Sequence, residues 1–293
     1  MTTAYRPGPR IEAVTDVDDD MFERQKRIEG WNQEKITRSK ALVVGAGALG
    51  NEIIKNLVLL GIGTVYLVDF DHVVSSNLSR CIFFRQTDSR KKNMKAAVVS
   101  RRAGQLSHST KVVPLCKDLE KIDKRIYKRI NIAFGGVDNL AARIQLTIDC
   151  YYNGVPLVDG GMEGLQGQVQ VVIPPDTPCL CCSLTEKDWE IMWSRLSCTG
   201  PMEERKMPAI ATTTSIISAI QVQEALKIIM GIESYRRDKK WNEFFGEPLF
   251  NKRLFYSGAS NALRAYSISK NSKCYVCGSL ENQNPKKERK RAD

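Results

Sequence analysis

No apolar run in this 293-residue chain is long enough to cross a membrane. The first twenty residues are polar, rich in Pro, Gly and Asp, and carry no charged-then-apolar leader. The expectation is a cytoplasmic protein with no membrane attachment and a flexible N-terminus over 1–20. Any stripe of basic residues interleaved with aromatics is also missing. The net charge of +11 is therefore not read as a nucleic-acid surface. Much of the excess is Lys286, Lys287, Arg289, Lys290 and Arg291, read as a basic, disordered tail over 281–293 that steers toward an acidic protein partner. There is no internal repeat and no long low-complexity insert. Nine cysteines, an odd number in a chain expected in a reducing compartment, argue against a disulfide framework. What remains is a chain with 42% hydrophobic residues, enough for one large α/β domain or two small ones.

The most informative stretch is 40–80. An apolar run at Ala41–Val44 reads as a buried parallel strand. The turn Gly45-Ala46-Gly47-Ala48-Leu49-Gly50 follows, then a helical pattern through Ile53, Ile54, Leu57, Val58 and Leu60, then a strand over Thr64–Val68 ending at Asp69. This is a βαβ unit with a nucleotide-binding fingerprint. Gly45, Gly47 and Gly50 permit the tight turn and close approach to a phosphate, and the helix start offers unpaired N–H groups to an anion. Asp69 stands where a carboxylate holds ribose hydroxyls.

Further on, Asn77 and Arg80 lie just past a strand end, on the ligand side of a doubly wound sheet, although a structural Asn in a turn fits Asn77 equally well. Lys92 or Lys95 reaches a phosphate at the next helix start, or else belongs to a solvated face. A short strand at Lys111–Leu115 precedes a polar helix over 117–129. Asn131–Gly135 is a strand, and Gly135 and Gly136 permit close backbone approach. Asp138 reads as a ligand-side carboxylate and as the N-cap of the helix over 139–153, two roles that are compatible. After a strand at Pro156–Asp159, the alternation at Gln168–Val171 marks an antiparallel strand. A helix around Lys187–Leu196 leads to Cys198 in a loop-like setting. A long helix starts at Pro208 and ends at Gly231, its early small residues suiting close packing. Strand-like pieces fill Lys252–Ala265. Cys81, Cys116 and Cys150 read as core or near-core residues. Arg24, taken alone, reads as a solvated surface residue.

Two C-x-x-C pairs, Cys179 with Cys182 and Cys274 with Cys277, suit tetrahedral structural Zn²⁺. No histidine or carboxylate completes an open catalytic sphere. The expected fold is thus α/β: a Rossmann-like, mostly parallel sheet with helices on both faces, added antiparallel strands and a zinc-tied C-terminal segment.

FERQ at 22–25, GAGALG at 45–50, VDFD at 68–71, SNLSR at 76–80, Lys95-Ala96, GGVDN at 135–139, the two cysteine knuckles and PAIATTT at 208–214 occur in one order. In this set the chain resembles the adenylating enzymes of the ubiquitin-activating superfamily, which includes the bacterial sulfur-carrier adenylyltransferases. PAIATTT is similar to the eukaryotic ubiquitin-activating branch. The resemblance implies an adenylation domain over 21–280 that contains a catalytic-cysteine loop at about 183–207. It implies ATP and Mg²⁺ as reactants. Asp69 would bind the ribose, Asn77 and Arg80 the phosphates, and Lys95, favoured over Lys92, the α-phosphate. Asp138 would hold Mg²⁺. Asp71 and Ser76, in the same motifs, count with the nucleotide contacts. Arg24 would reach the γ-phosphate of a second subunit in a homodimer. Cys198 would form a thioester with a ubiquitin-like protein for transfer to a conjugating enzyme. Where relatives often have Gln, this chain has Cys81, which takes no role. No inserted cysteine domain and no ubiquitin-fold domain after Gly278 are recognisable, so a minimal single-domain form is expected.

Three rival readings share parts of this pattern. A sulfur-carrier adenylyltransferase has every ATP residue but needs no thioester. An NAD-dependent dehydrogenase shares the glycine turn and Asp69 but leaves Arg80, Lys95, Asp138 and the knuckles unexplained. A non-catalytic scaffold fits poorly with so many polar residues retained.

Overall fold

The computed structural model describes residues 20–185 and 207–278. The 1–20 expectation up to residue 19, the helix at 187–196, Cys198 with most of its loop, and the basic tail lie outside the described residues.

In chain order the elements are α1 (Glu23–Lys26), α2 (Gln33–Arg38), β1 (Lys40–Val44), α3 (Ala48–Leu60), β2 (Thr64–Val68), α4 (Gln86–Arg90), α5 (Lys95–Leu106), β3 (Lys111–Leu115), β4 (Ile132–Gly135), α6 (Leu140–Tyr152), β5 (Leu157–Glu163), β6 (Gln166–Val172), α7 (Ala211–Asp238), β7 (Lys252–Ser257) and β8 (Ala262–Ser267). The eight strands make one sheet in the order β3-β2-β1-β4-β5-β6-β7-β8. The first five in that order run parallel, and β6, β7 and β8 each pair antiparallel with their neighbour.

Alternation along the strands separates two cores. Ala41, Val43, Val65, Leu67, Ile132 and Phe134 face α3, α5 and α7, where Ile53, Leu57, Val99, Ile217 and Ile228 cover them. Leu42, Val44, Ala133, Leu157 and Val172 face α6, meeting Ile144, Leu146 and Cys150. Each such side chain, taken out of water, contributes about 1.5–3 kcal/mol. Strands apolar at both parities are what a sheet covered on both faces requires. The early small residues of α7 do pack closely: Ser218 donates to the Leu49 carbonyl at 3.2 Å. α7 corrects the reading that no apolar run is long enough to cross a membrane: by length and composition this helix is. Here its apolar side chains form core.

Four local expectations are corrected. Residues 117–129 form no continuous helix. Asp118 and Asp123 each accept from the backbone N–H two residues on, starting separate 3₁₀ turns at Leu119–Lys121 and Lys124–Lys128. α7 begins at Ala211 rather than Pro208, and it does not stop at Gly231. It ends at Lys239, whose φ is 60°. Gly231 instead admits a ring, since a Cβ there would lie 2.9 Å from Trp241. Cys116 is exposed rather than near-core, whereas Cys81 and Cys150 are buried.

Candidate active site

β1 lies between β2 and β4, so the chain leaves it in opposite directions and opens a crevice at the strands' C-terminal ends. The glycine turn fills that point. Gly45 has a φ of 96°, and a Cβ on it would sit 2.6 Å from the Gly136 carbonyl oxygen. A Cβ on Gly50 would meet the Gly45 carbonyl at 1.8 Å. The two glycines therefore fold the turn on itself and against the loop after β4. Gly47 differs: nothing lies within 4 Å of a Cβ built there. It is the open side of the turn, at the start of the 13-residue α3, where backbone N–H groups are available to an anion.

Asp69 closes the turn. Its two carboxylate oxygens accept from the N–H of Ala46 at 2.7 Å and of Asp71 at 2.8 Å. Each oxygen keeps a second lone pair for a hydroxyl. Burial pushes the carboxyl above its ordinary value, opposed by the Ala46 N–H and by Lys95. Past β2, Asn77 is buried and accepts from the N–H of Val74 at 3.1 Å. Arg80 donates to the Ser76 carbonyl, which gives exposed Ser76 a part in holding the arginine. Lys95 opens α5, and its Nζ lies 2.7 Å from an Asp71 carboxylate oxygen. Lys92 is exposed on a left-handed turn with a φ of 47°.

Asp138 follows β4 on the same side of the sheet. It is exposed, and no partner for it is present among the described residues. It does not cap α6. Asn139 does, accepting from the Ala142 N–H at 2.7 Å, so the cap falls one residue later than Asp138. The site thus gathers Gly45, Gly47, Gly50, Asp69, Asp71, Ser76, Asn77, Arg80, Lys95 and Asp138 around one crevice, and the donor set fits a nucleoside triphosphate with a divalent cation.

Arg24 is not in this crevice. Phe22 packs against Gly61, and Gln25 donates to the Leu60 carbonyl at 3.1 Å, so α1 sits at the far end of α3 from the turn. Thirteen helical residues separate the two ends by about 20 Å. The Arg24 side chain is 77% exposed and touches Glu23 at 3.5 Å.

Asn51 was not singled out in the sequence. Fully buried in α3, it donates to the carbonyls of Ala46 at 2.7 Å and Gly47 at 2.9 Å and accepts from the Phe83 N–H at 3.0 Å. It ties the glycine turn to the segment just after Arg80. An amide inside an otherwise apolar helix face was its only signal. Cys81 beside Arg80 is buried, and burial pushes its thiol up to about 11, which leaves it unreactive.

Away from the crevice, Cys179, Cys182, Cys274 and Cys277 converge, with all four sulfurs within 4.8 Å of one another. Measured pairs are 3.9, 3.5 and 3.1 Å apart. A tetrahedron with Zn–S of about 2.3 Å needs sulfurs about 3.8 Å apart, so the cluster fits zinc. Three of the four thiols are buried, and no open ligand position is evident. Cys181, buried between the first pair, stays outside the cluster.

Comparison with known proteins gives the family and the fold. The ThiF family model matches residues 22–276. A ubiquitin-activating enzyme E1-like protein of Saccharomyces cerevisiae is 33% identical over 156 residues, 52% of this chain and 24% of that protein. The sulfur carrier protein ThiS adenylyltransferase of Bacillus subtilis is 28% identical over 251 residues, 85% of this chain and 68% of that protein. The crystal structure of E. coli MccB with ATP superposes with a TM-score of 0.69 at 19% identity, covering 90% of this chain and 75% of that one. The chain spans between 24% and 35% of the length of the first three curated relatives it matches.

Proposed function

The chain belongs to the ThiF family, and from that premise we propose that it adenylates the C-terminal carboxylate of a ubiquitin-like or sulfur-carrier protein. The observation that carries this reading is the convergence of Asp69, Asn77, Arg80, Lys95 and Asp138 around the glycine turn. In the proposed step a carboxylate oxygen of the substrate attacks the ATP α-phosphorus, and the bond to pyrophosphate breaks. No side chain forms a covalent bond in it. The protein contributes position and positive charge. Asp69 orients the ribose, α3 and Asn77 hold phosphate oxygens, and Arg80 and Lys95 offset the charge that builds up. Asp138 would hold Mg²⁺, whose charge would offset that of the phosphates. Arg24, too far from its own crevice, would serve the crevice of a second copy in a homodimer.

The finer reading is ubiquitin-like modifier activation. The Cys198 thiolate would attack the acyl carbon of the adenylate, the carbon–oxygen bond to AMP would break, and the resulting thioester would pass to a conjugating enzyme. The motif at 208–214 supports it, as does the similarity to the S. cerevisiae protein. A sulfur-carrier adenylyltransferase that stops at the adenylate is supported by the longer match to the B. subtilis protein. ATP–pyrophosphate exchange against a panel of ubiquitin-like and sulfur-carrier proteins tests the common step. Absence of exchange with every member would refute it. A reducing-agent-sensitive adduct lost in Cys198→Ala separates the two readings in favour of the first. No adduct, or one that survives the substitution, sinks the Cys198 role.

A further inference from the structure

Three glycines near the crevice make room for neighbouring side chains rather than for a ligand. A Cβ on Gly135 would lie 2.3 Å from an Asp159 carboxylate oxygen. On Gly161 it would lie 3.3 Å from both terminal nitrogens of Arg143, and on Gly160 it would strike the Gln221 amide at 2.3 Å. Gly135 was read above as permitting close backbone approach, and the space beside it is taken by the Asp159 side chain.

These side chains form one device around the end of β4. Arg143 grips Asp159 with two nitrogens: Nε lies 3.2 Å from one oxygen, and Nη2 is in contact with the other. Asp159 is 2% exposed and Arg143 21%. Gly135 and Asp159 are register partners on β4 and β5. From the opposite face, Gln221 of α7 donates to the Gly135 carbonyl at 2.9 Å and the Val158 carbonyl at 3.2 Å. Arg143 also lies on the first turn of α6, its N–H bonded to the Asn139 carbonyl at 3.3 Å. The loop that carries Asp138 is therefore held at both ends. Gly135 is clamped between two faces, and the α6 start is tied to β5 by a bidentate ion pair. Nothing else among the described residues holds the Asp138 side chain.

We propose that the Arg143–Asp159 pair is a positioning device for Asp138 and sets how well the crevice binds a divalent cation with ATP. The proposal rests on Asp138 being the cation ligand of the adenylation site. A buried ion pair is weak as a source of net stability, and a role in fixing geometry gives it a purpose. Groups that orient a metal ligand typically change metal affinity 10–100-fold when altered.

The test is ATP binding by the full chain, measured by calorimetry in Mg²⁺ and again with no added divalent cation. Thermal midpoint and zinc content are followed in parallel. Arg143→Lys keeps the charge and removes the two-nitrogen grip. It is expected to weaken binding about tenfold in Mg²⁺ while leaving binding without Mg²⁺ within about twofold. In an Asp138→Ala background it is expected to add no further loss, because its effect passes through Asp138. Equal losses with and without Mg²⁺, no loss in either, or an additional loss on top of Asp138→Ala would overturn the proposal. If Arg143→Lys does not fold, Asp159→Glu displaces the same pair and is read the same way. If Asp138→Ala itself leaves Mg²⁺-dependent binding unchanged, the cation assignment has failed, and the proposal falls with it for that separate reason.

Discussion

Lys95 is attached to Asp71 twice. Its Nζ lies 2.7 Å from the carboxylate, and its backbone N–H donates to the Asp71 carbonyl at 2.9 Å. The start of α5 is thereby pinned to the loop after β2, beside Asp69. Lys92, three residues earlier, turns outward on a left-handed backbone. Lys95→Ala is therefore expected to lower ATP–pyrophosphate exchange by roughly 10²–10³, the usual cost of one charge facing a developing oxyanion. Lys92→Ala is expected to stay within about twofold of wild type. A large loss for Lys92→Ala with a small one for Lys95→Ala would reverse the assignment.

Asp69 gives a pH signature. Its folded-state pKa is raised above 3.8, first by burial. A carboxyl of this kind favours the folded state when protonated. Its contribution is fully present below 3.8 and is lost as pH rises through the raised value. In Asp69→Asn this dependence is absent. The melting midpoint of the variant relative to wild type should therefore climb as pH increases across that window, while its ATP affinity falls. A constant offset between the two proteins over the same buffers would show that burial does not control this carboxyl.

Removing Asn51 should damage stability and the site together. Asn51→Ala strands the Phe83 N–H and frees the Ala46 carbonyl in a buried setting, while the Gly47 carbonyl keeps its bond from the backbone N–H of residue 51. Such losses cost on the order of 2–3 kcal/mol. A melting midpoint several degrees lower, with weaker ATP binding, is the expected result. Unchanged ATP affinity would mean the turn keeps its shape without this amide.

The cysteine cluster should hold one zinc per chain by elemental analysis. Cys274→Ser is expected to lose the metal and to loosen the C-terminal segment first, seen as faster amide exchange around Val276. Closing a loop this long constrains the unfolded chain by an amount on the order of 4 kcal/mol, by analogy with a disulfide. Full zinc retention in that variant would remove Cys274 from the ligand set.

The parallel strands and the glycine turn were legible because a strand covered on both faces is apolar along most of its length, as 41–44, 65–68 and 132–134 are. Asp69 was legible because its spacing from Gly50 is set by one helix and one strand. Less visible were features decided by contacts across the sheet. Nothing local distinguishes Asp138 from Asn139 as the helix cap. Which of them caps depends on how β4 delivers the chain. Gly231 looked like a helix end because glycine is a poor helix former, yet packing against Trp241 overrides that cost. The polar run after β3 split into short turns because two aspartates compete for backbone N–H groups. The Arg143–Asp159 pair was hidden because its partners are sixteen positions apart and meet only when β5 lies beside β4.

The sulfur cluster has one more consequence. It joins positions 95 apart, Cys179 to Cys274 and Cys182 to Cys277, so with zinc bound there α7, β7, β8 and the stretch of chain carrying Cys198 would belong to a ring closed by the metal. A single protease cut anywhere inside that ring would leave two polypeptides that still travel together. The β6–β7 ladder and the buried face of α7 would hold them as well, so a chelator is expected to lower the denaturant concentration at which the two halves part.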